Sequence, residues 1–257
     1  MKKVLLFCGF FCFNNLFSNQ IENKLSLITP PQAPSFWKQS AKEALSPFQG
    51  NQKYILMGSA IASLGYWTLD HNYGGKYGLI DEKRLYLNNT LGDLNEVGNY
   101  VGALYPNLIY AGSHFLAAAL MKNSLNNEKA WIMLKSTLIA SSYTWILKLA
   151  VGAKRPNGGP HSFPSGHTTT AFAFASVVGM QHSLRWSVPA YALAILAAVS
   201  RIHSNKHYVQ DVILGMGIGI STGIGVSLAN RGTTKNSVFN NLYVLPTLNG
   251  ASLTFLF

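Results

Sequence analysis

Between residues 148 and 211 the chain holds three short clusters whose residue types suit the handling of a phosphate-like anion. In the first, six residues separate Lys148 from Arg155 and Pro156. Continued as helix, that spacing sets the two cations about two turns apart on one face, where both can meet one dianion, with Pro156 and Asn157 to Gly159 ending the helix. In the second, Pro164, Ser165, Gly166 and His167 lead directly into Thr168 to Thr170 and an apolar run from Ala171. A loop feeding a helix N-terminus offers backbone N–H groups, a glycine that permits close approach, a serine hydroxyl and an imidazole able to give or take a proton. In the third, Ser200 and Arg201 precede His207 and Asp211. If helical, His207 and Asp211 share a face, so the carboxylate holds one imidazole nitrogen and leaves the other as a nucleophile.

Taken singly, these clusters also describe a charged helix end, an ordinary N-cap and a surface His–Asp pair. Their occurrence in one order within 64 residues is far more restrictive. The complete pattern resembles the three-part signature of the type 2 phosphatidic acid phosphatase superfamily, which includes lipid phosphatases, bacterial class A acid phosphatases and vanadium haloperoxidases. Every signature position from Lys148 to Pro156, Pro164 to His167 and Ser200 to Asp211 carries the expected residue. The resemblance implies that His207 attacks phosphorus to form a phosphohistidine, oriented by Asp211, while His167 protonates the leaving oxygen and later activates water. It implies that Lys148, Arg155, Arg201, Ser165 and the Gly166 amide hold the phosphoryl oxygens. No metal and no cofactor is expected. The resemblance covers residues 130 to 229, and substrate choice in such proteins resides largely outside the signature. His161 is read as loop decoration or a pocket-mouth residue, and His203 and His114 as structural or surface groups. Lys154 and Lys206 are read as solvated charge near the site.

The elements that must bring these clusters together are helical. Apolar segments recur at 54 to 69, 100 to 121, 130 to 151, 168 to 184, 186 to 200 and 212 to 229 without period-two alternation. The expected fold is all-α, a membrane-embedded bundle of about six helices with the clusters at one end, plus a short C-terminal β-hairpin. A short surface helix is expected near Leu91 to Val97. The hairpin is read from alternation between Val238 and Phe257 around Asn249 and Gly250, a good two-residue turn. The expected organisation is a signal peptide or anchor at 1 to 20, an irregular proline-containing lead-in at 21 to 53, a phosphatase domain at 54 to 229 and a tail from 230. Phe36 and Trp37 of the lead-in are candidates to dock on the bundle.

The membrane signal is mixed. A span needs about 20 mainly apolar residues, several of these segments are shorter, and the mean hydropathy of +0.16 is low for a polytopic protein. Lys122, Lys129 and Arg185 in short loops fit the positive-inside rule. If every segment from 54 onward spans, the catalytic loops face outside only when residues 21 to 53 lie inside, whereas a cleaved signal peptide would place them outside. A soluble periplasmic form therefore remains the alternative to an inner-membrane protein with a periplasm-facing site.

The Lys2–Lys3 start and the apolar run to Phe13 resemble a targeting segment, and both cysteines, Cys8 and Cys12, fall inside it. A processed chain would have no disulfide and no cysteine-based metal site. Twenty Lys and Arg against nine Asp and Glu give a net charge of +11, which favours an anionic partner. The basic residues are scattered without a nucleic-acid-binding pattern, so a phosphorylated lipid or other phosphate ester is the expected partner, not nucleic acid. The functional expectation is hydrolysis of a phosphate monoester or pyrophosphate of a lipid. A broad-specificity soluble acid phosphatase and a non-catalytic anion-binding envelope protein are the alternatives.

Overall fold

The computed structural model describes residues 36–73, 79–230, 242–247 and 250–255. The N-terminal targeting segment and the first part of the lead-in lie outside the described residues. The helices are α1 (Phe36–Leu45), α2 (Gln52–Tyr73), α3 (Glu82–Asn88), α4 (Leu94–Gly102), α5 (Tyr105–Met121), α6 (Ser124–Val151), α7 (Gly166–Gln181), α8 (Leu184–His203) and α9 (Val209–Ala229). A 3₁₀ turn at Ser46–Phe48 joins α1 to α2. Strands β1 (Leu242–Thr247) and β2 (Gly250–Phe255) pair antiparallel. Residues 248–249, where the hairpin's turn is expected, and both strands' side chains lie outside the described residues.

Helix α9 is central. It packs on α7, α2, α6 and the 3₁₀ turn, while α8 lies against α7 and α4 against α8. What lets α9 and α7 approach is a row of glycines one turn apart. A Cβ at Gly215 would stand 2.7 Å from the Ser165 carbonyl oxygen, one at Gly219 would stand 2.5 Å from that of Thr169, and one at Gly223 would stand 2.7 Å from the Ser176 Cβ. Those contacts are mainly with backbone, which cannot swing aside, so this face of α9 admits hydrogen only. The close approach fixes the start of α7, which carries the second cluster, against the start of α9, which carries part of the third.

Several sequence expectations are corrected. The segment expected at 100 to 121 is two helices, because Pro106 sits at the start of α5, where its missing N–H and fixed φ are tolerated but a continuing helix is not. The surface helix expected near Leu91 to Val97 is α4, a packed element: an added Cβ on Gly98 would lie 2.6 Å from the Ser200 Cβ. The lead-in is not irregular throughout. Residues 36–48 are helical, with Pro47 at the start of the 3₁₀ turn, again a permitted position.

Helix α1 is anchored by a buried Glu43, whose carboxylate lies 2.7 Å from the Lys135 ammonium on α6. The Tyr143 hydroxyl donates to the Ala44 carbonyl at 2.7 Å. Among the described residues the packed unit thus includes α1 and the 3₁₀ turn ahead of residue 54. Phe36 and Trp37 stay exposed and do not dock on the bundle.

Candidate active site

The first cluster is not one helical face. Helix α6 stops at Val151 because Gly152 takes a left-handed conformation, φ +61°, that caps the helix and accepts no side chain without strain. Arg155 therefore sits in the following loop, and the loop folds back to bring it beside Lys148. Ser162 N–H donates to the Ala153 carbonyl at 2.8 Å, and Arg155 N–H to that of Gly159 at 2.8 Å. The Lys148 ammonium, buried in the last turn of α6, donates to the carbonyls of His161 at 2.6 Å and Ser162 at 3.2 Å. Arg155 Nε donates to the Pro160 carbonyl at 3.0 Å. Both cations are held from behind by backbone oxygens, which orient them without cancelling their charge.

Ser165 is the N-cap of α7, following a cis Phe163–Pro164 bond. Its N–H donates to the Asp211 carbonyl at 3.0 Å, which ties the second cluster to the third. Its side chain accepts from the Thr168 hydroxyl at 3.0 Å and is fully buried. Gly166 and His167 follow in the first turn, whose amides have no partner earlier in the helix. A Cβ at Gly102 would meet the His167 Cβ at 2.9 Å, so the glycine end of α4 forms the seat of that imidazole.

In the third cluster His207 lies in the loop after α8, and Asp211 occupies the first turn of α9. They do not share a helix, yet they meet. His207 Nδ1 is 3.2 Å from Asp211 Oδ2, and both side chains are nearly inaccessible. The same carboxylate oxygen accepts the Tyr208 N–H at 3.0 Å and a short hydrogen bond from the Ser162 hydroxyl. With Nδ1 turned to Asp211, Nε2 is the ring nitrogen left for chemistry in the cavity that His207 lines.

Burial pushes the His207 imidazole below its ordinary pKa, and the charges of Lys148 and Arg155 add to that. The hydrogen bond and charge of Asp211 oppose it. Arg201 is buried, and its Nε and Nη2 each lie 3.3 Å from the Ser200 hydroxyl oxygen, which accepts from both.

These groups share one cavity of about 860 Å³. Of the eight residues singled out from sequence, Lys148, Arg155, Gly166, His167, Arg201 and His207 line it. The other two stand behind. Asp211 backs His207, and Ser165 is turned into the turn and not onto the wall. The lining also includes apolar and aromatic side chains, Leu104, Tyr105 and Leu108 at and after the start of α5 and Trp145 of α6.

Residues that sequence reasoning missed include Ser162, which carries no pattern of its own and is identified only by its bond to Asp211. Gly102 is another, and Lys206, read as solvated charge, lines the cavity. His161 lines it too, with φ +54°. His203 is structural: its Nε2 contacts Leu91 N at 3.2 Å and Thr90 Oγ1 at 3.0 Å. Among the described residues no three of His, Cys, Asp and Glu gather as a metal-binding group.

An imidazole braced by a carboxylate, a second imidazole and three cations held from behind thus gather at one cavity of a mostly helical protein. Residues 129–234 match the family model described as the PAP2 superfamily. A lipid A 1-phosphatase from Porphyromonas gingivalis is 40% identical over 80 residues, which cover 30% of this chain and 18% of that protein. The chain thus matches less than a fifth of that relative's length.

Among solved structures, the transmembrane PAP2-type phosphatidylglycerolphosphate phosphatase from Bacillus subtilis is similar with a TM-score of 0.50 and 20% identity. That match covers 67% of this chain and 94% of the other, so the two share a fold. Aquifex aeolicus LpxE is similar over 52% of this chain and 82% of its own, with 26% identity and a TM-score of 0.44.

Proposed function

We propose that this protein is a phosphatase that removes phosphate from a phosphorylated lipid, acting through a phosphohistidine on His207. The observation that carries the proposal is the Asp211–His207 couple opening onto a cavity that also holds His167 and three anchored cations. The PAP2-superfamily match and the relative described as a lipid A 1-phosphatase support a lipid phosphate as the substrate class.

His207 Nε2 attacks phosphorus while Asp211 keeps Nδ1 protonated and stabilises the charge that develops on the ring. Lys148, Arg155, Arg201 and the first-turn amides of α7 meet the equatorial oxygens, where negative charge accumulates in the transition state. His167 protonates the leaving oxygen and then takes a proton from the water that releases phosphate from His207. Ser165 shapes this turn through its buried bonds and is not assigned a direct phosphate contact. These steps need no metal. The catalytic domain extends from α1 through α9.

The bundle is read as membrane-embedded because its polarity is inverted. Its interior is rich in small polar side chains, including Ser136, Thr137, Thr144, Thr168, Ser176 and Thr222, while Ile61, Leu64, Ile109, Leu120, Leu138 and Leu149 are all more than 60% exposed. Water would penalise that outer surface and lipid would not. Among the described residues one helix, Val209–Ala229, is long and apolar enough by composition alone to cross a bilayer, and it is mostly buried in the bundle. The apolar and aromatic side chains that α5 and α6 add to the cavity lining suit a hydrocarbon tail. On this reading the site faces the periplasm from the inner membrane.

The experiment is phosphate release by detergent-purified protein, with EDTA present, from lipid phosphates and a soluble aryl phosphate. His207-dependent release from a lipid, at much higher kcat/KM than from the soluble ester, is the expected result. Comparable release from both would replace the lipid reading with that of a broad acid phosphatase, and loss of all release in EDTA would remove the metal-free mechanism.

A further inference from the structure

The signature cations are each engaged from the protein side: Lys148 by two carbonyls, Arg155 by one and Arg201 by the Ser200 hydroxyl. Lys206 lines the same cavity and differs. Among the described residues its ammonium makes no hydrogen bond and no ion pair. Its place is nevertheless built. Asn205 takes a left-handed conformation at φ +54°, and the amides of Lys206 and His207 both donate to the Arg201 carbonyl, at 3.1 and 3.2 Å. These bonds fix the backbone of Lys206 against the carbonyl of the buried arginine, next in sequence to the proposed nucleophile. Its ammonium is pushed below the ordinary lysine range by burial first, then by the charges of Arg201 and Arg155, with Glu96 opposing. Positive charge is crowded here without a protein counter-ion in contact, a cost that a bound anion relieves.

One phosphoryl group offers three equatorial oxygens, and the three anchored cations with the α7 amides already suffice for them. A fourth cation lining the same cavity has an unfilled task. We propose that Lys206 forms a second anion subsite, which takes the inner phosphate of a diphosphate while the terminal phosphate sits among Lys148, Arg155 and Arg201. The proposal rests on the phosphatase reading of the cavity and narrows its substrate to one whose leaving group is itself a phosphate. His207 Nε2 forms a bond to the terminal phosphorus, and the bond from that phosphorus to the bridging oxygen breaks. The electron pair leaves with the bridging oxygen as a phosphate monoester, whose added charge Lys206 compensates. Water then cleaves the phosphohistidine, returning free histidine and inorganic phosphate.

The test is equilibrium binding of inorganic pyrophosphate and of inorganic phosphate to the detergent-purified full chain, to Lys206→Met and to Lys206→Arg. The native protein should prefer pyrophosphate. Lys206→Met should lose about tenfold or more in pyrophosphate affinity, the scale of one charge-assisted contact, with phosphate affinity held within about threefold, and Lys206→Arg should recover most of the preference. An unchanged preference in Lys206→Met overturns the subsite, and so does an equal loss for both anions, which would make Lys206 a general contributor to the field. Folding of each variant is checked independently by its thermal unfolding midpoint in detergent. Because the readout is binding, it stands apart from turnover: a protein that keeps the Lys206-dependent preference yet hydrolyses nothing would sink the phosphatase reading and leave the subsite intact.

Discussion

Replacing Asp211 with Asn tests the couple at the centre of the site with almost no change of shape. Asp211 Oδ2 gathers three donors: His207 Nδ1–H at 3.2 Å, Tyr208 N–H at 3.0 Å and the Ser162 hydroxyl. An Asn that keeps its carbonyl oxygen in that position goes on accepting from Tyr208 N–H and His207 Nδ1–H, so the imidazole tautomer is retained. What it removes is the buried negative charge that stabilises the ring as it becomes cationic. Both side chains are buried enough that water cannot substitute, and losing one preorganised charge-stabilising group costs about 10²- to 10³-fold in kcat, which is the loss expected here. KM should change little, because the groups that hold phosphate are untouched. Steady-state phosphate release and thermal unfolding in detergent check this together. A folded Asp211→Asn protein within tenfold of native kcat would refute the charge argument.

The His207 pKa is lowered, so the neutral ring persists below the ordinary imidazole value of about 6.5, and the acid limb of kcat/KM should lie below that pH. Since Asp211 acts to raise that pKa, the residual activity of Asp211→Asn should show an acid limb at still lower pH. By the same sign, the unfolded chain takes up a proton at His207 that the folded chain does not. Its contribution to stability is therefore constant above about pH 6.5 and falls as pH drops from there toward the folded value. Ser162→Ala removes a buried donor from a carboxylate and should cost about 1.5–3 kcal/mol of stability, with a smaller kcat loss than Asp211→Asn; an unchanged unfolding midpoint would count against the bond. Gly219→Ala should destabilise by about 1–3 kcal/mol by forcing α7 from α9, whereas Gly112→Ala, with open space around its Cβ, should be neutral or stabilising by up to about 1 kcal/mol; equal effects would contradict the close packing of α7 on α9.

The grouping of the candidate site residues was legible because it depends on residue types in order, and Lys148, Arg155, His167, Arg201 and His207 do line one cavity. The geometry behind it was less so. The spacing of Lys148 and Arg155 suits one helix, but Gly152 ends α6 first, and a glycine is as compatible with a helix interior as with its cap until the chain direction is known. His207 and Asp211 likewise meet across a helix start instead of along a helix face. Helices α1 and α4 were missed or misjudged for a different reason. Their buried faces rest on Glu43 and on Gly98 and Gly102, residues that a search for apolar periodicity does not count. Ser162 could have been found only by asking which donor completes Asp211.

The most direct test of the central claim is to quench turnover of a phosphorus-labelled lipid phosphate and locate the label on the protein by mass spectrometry under conditions that preserve phosphoramidates. Acid-labile, base-stable label on His207, absent from His207→Ala, is the expected result. Label on another residue, or continued turnover by His207→Ala, would contradict a phosphohistidine at this position.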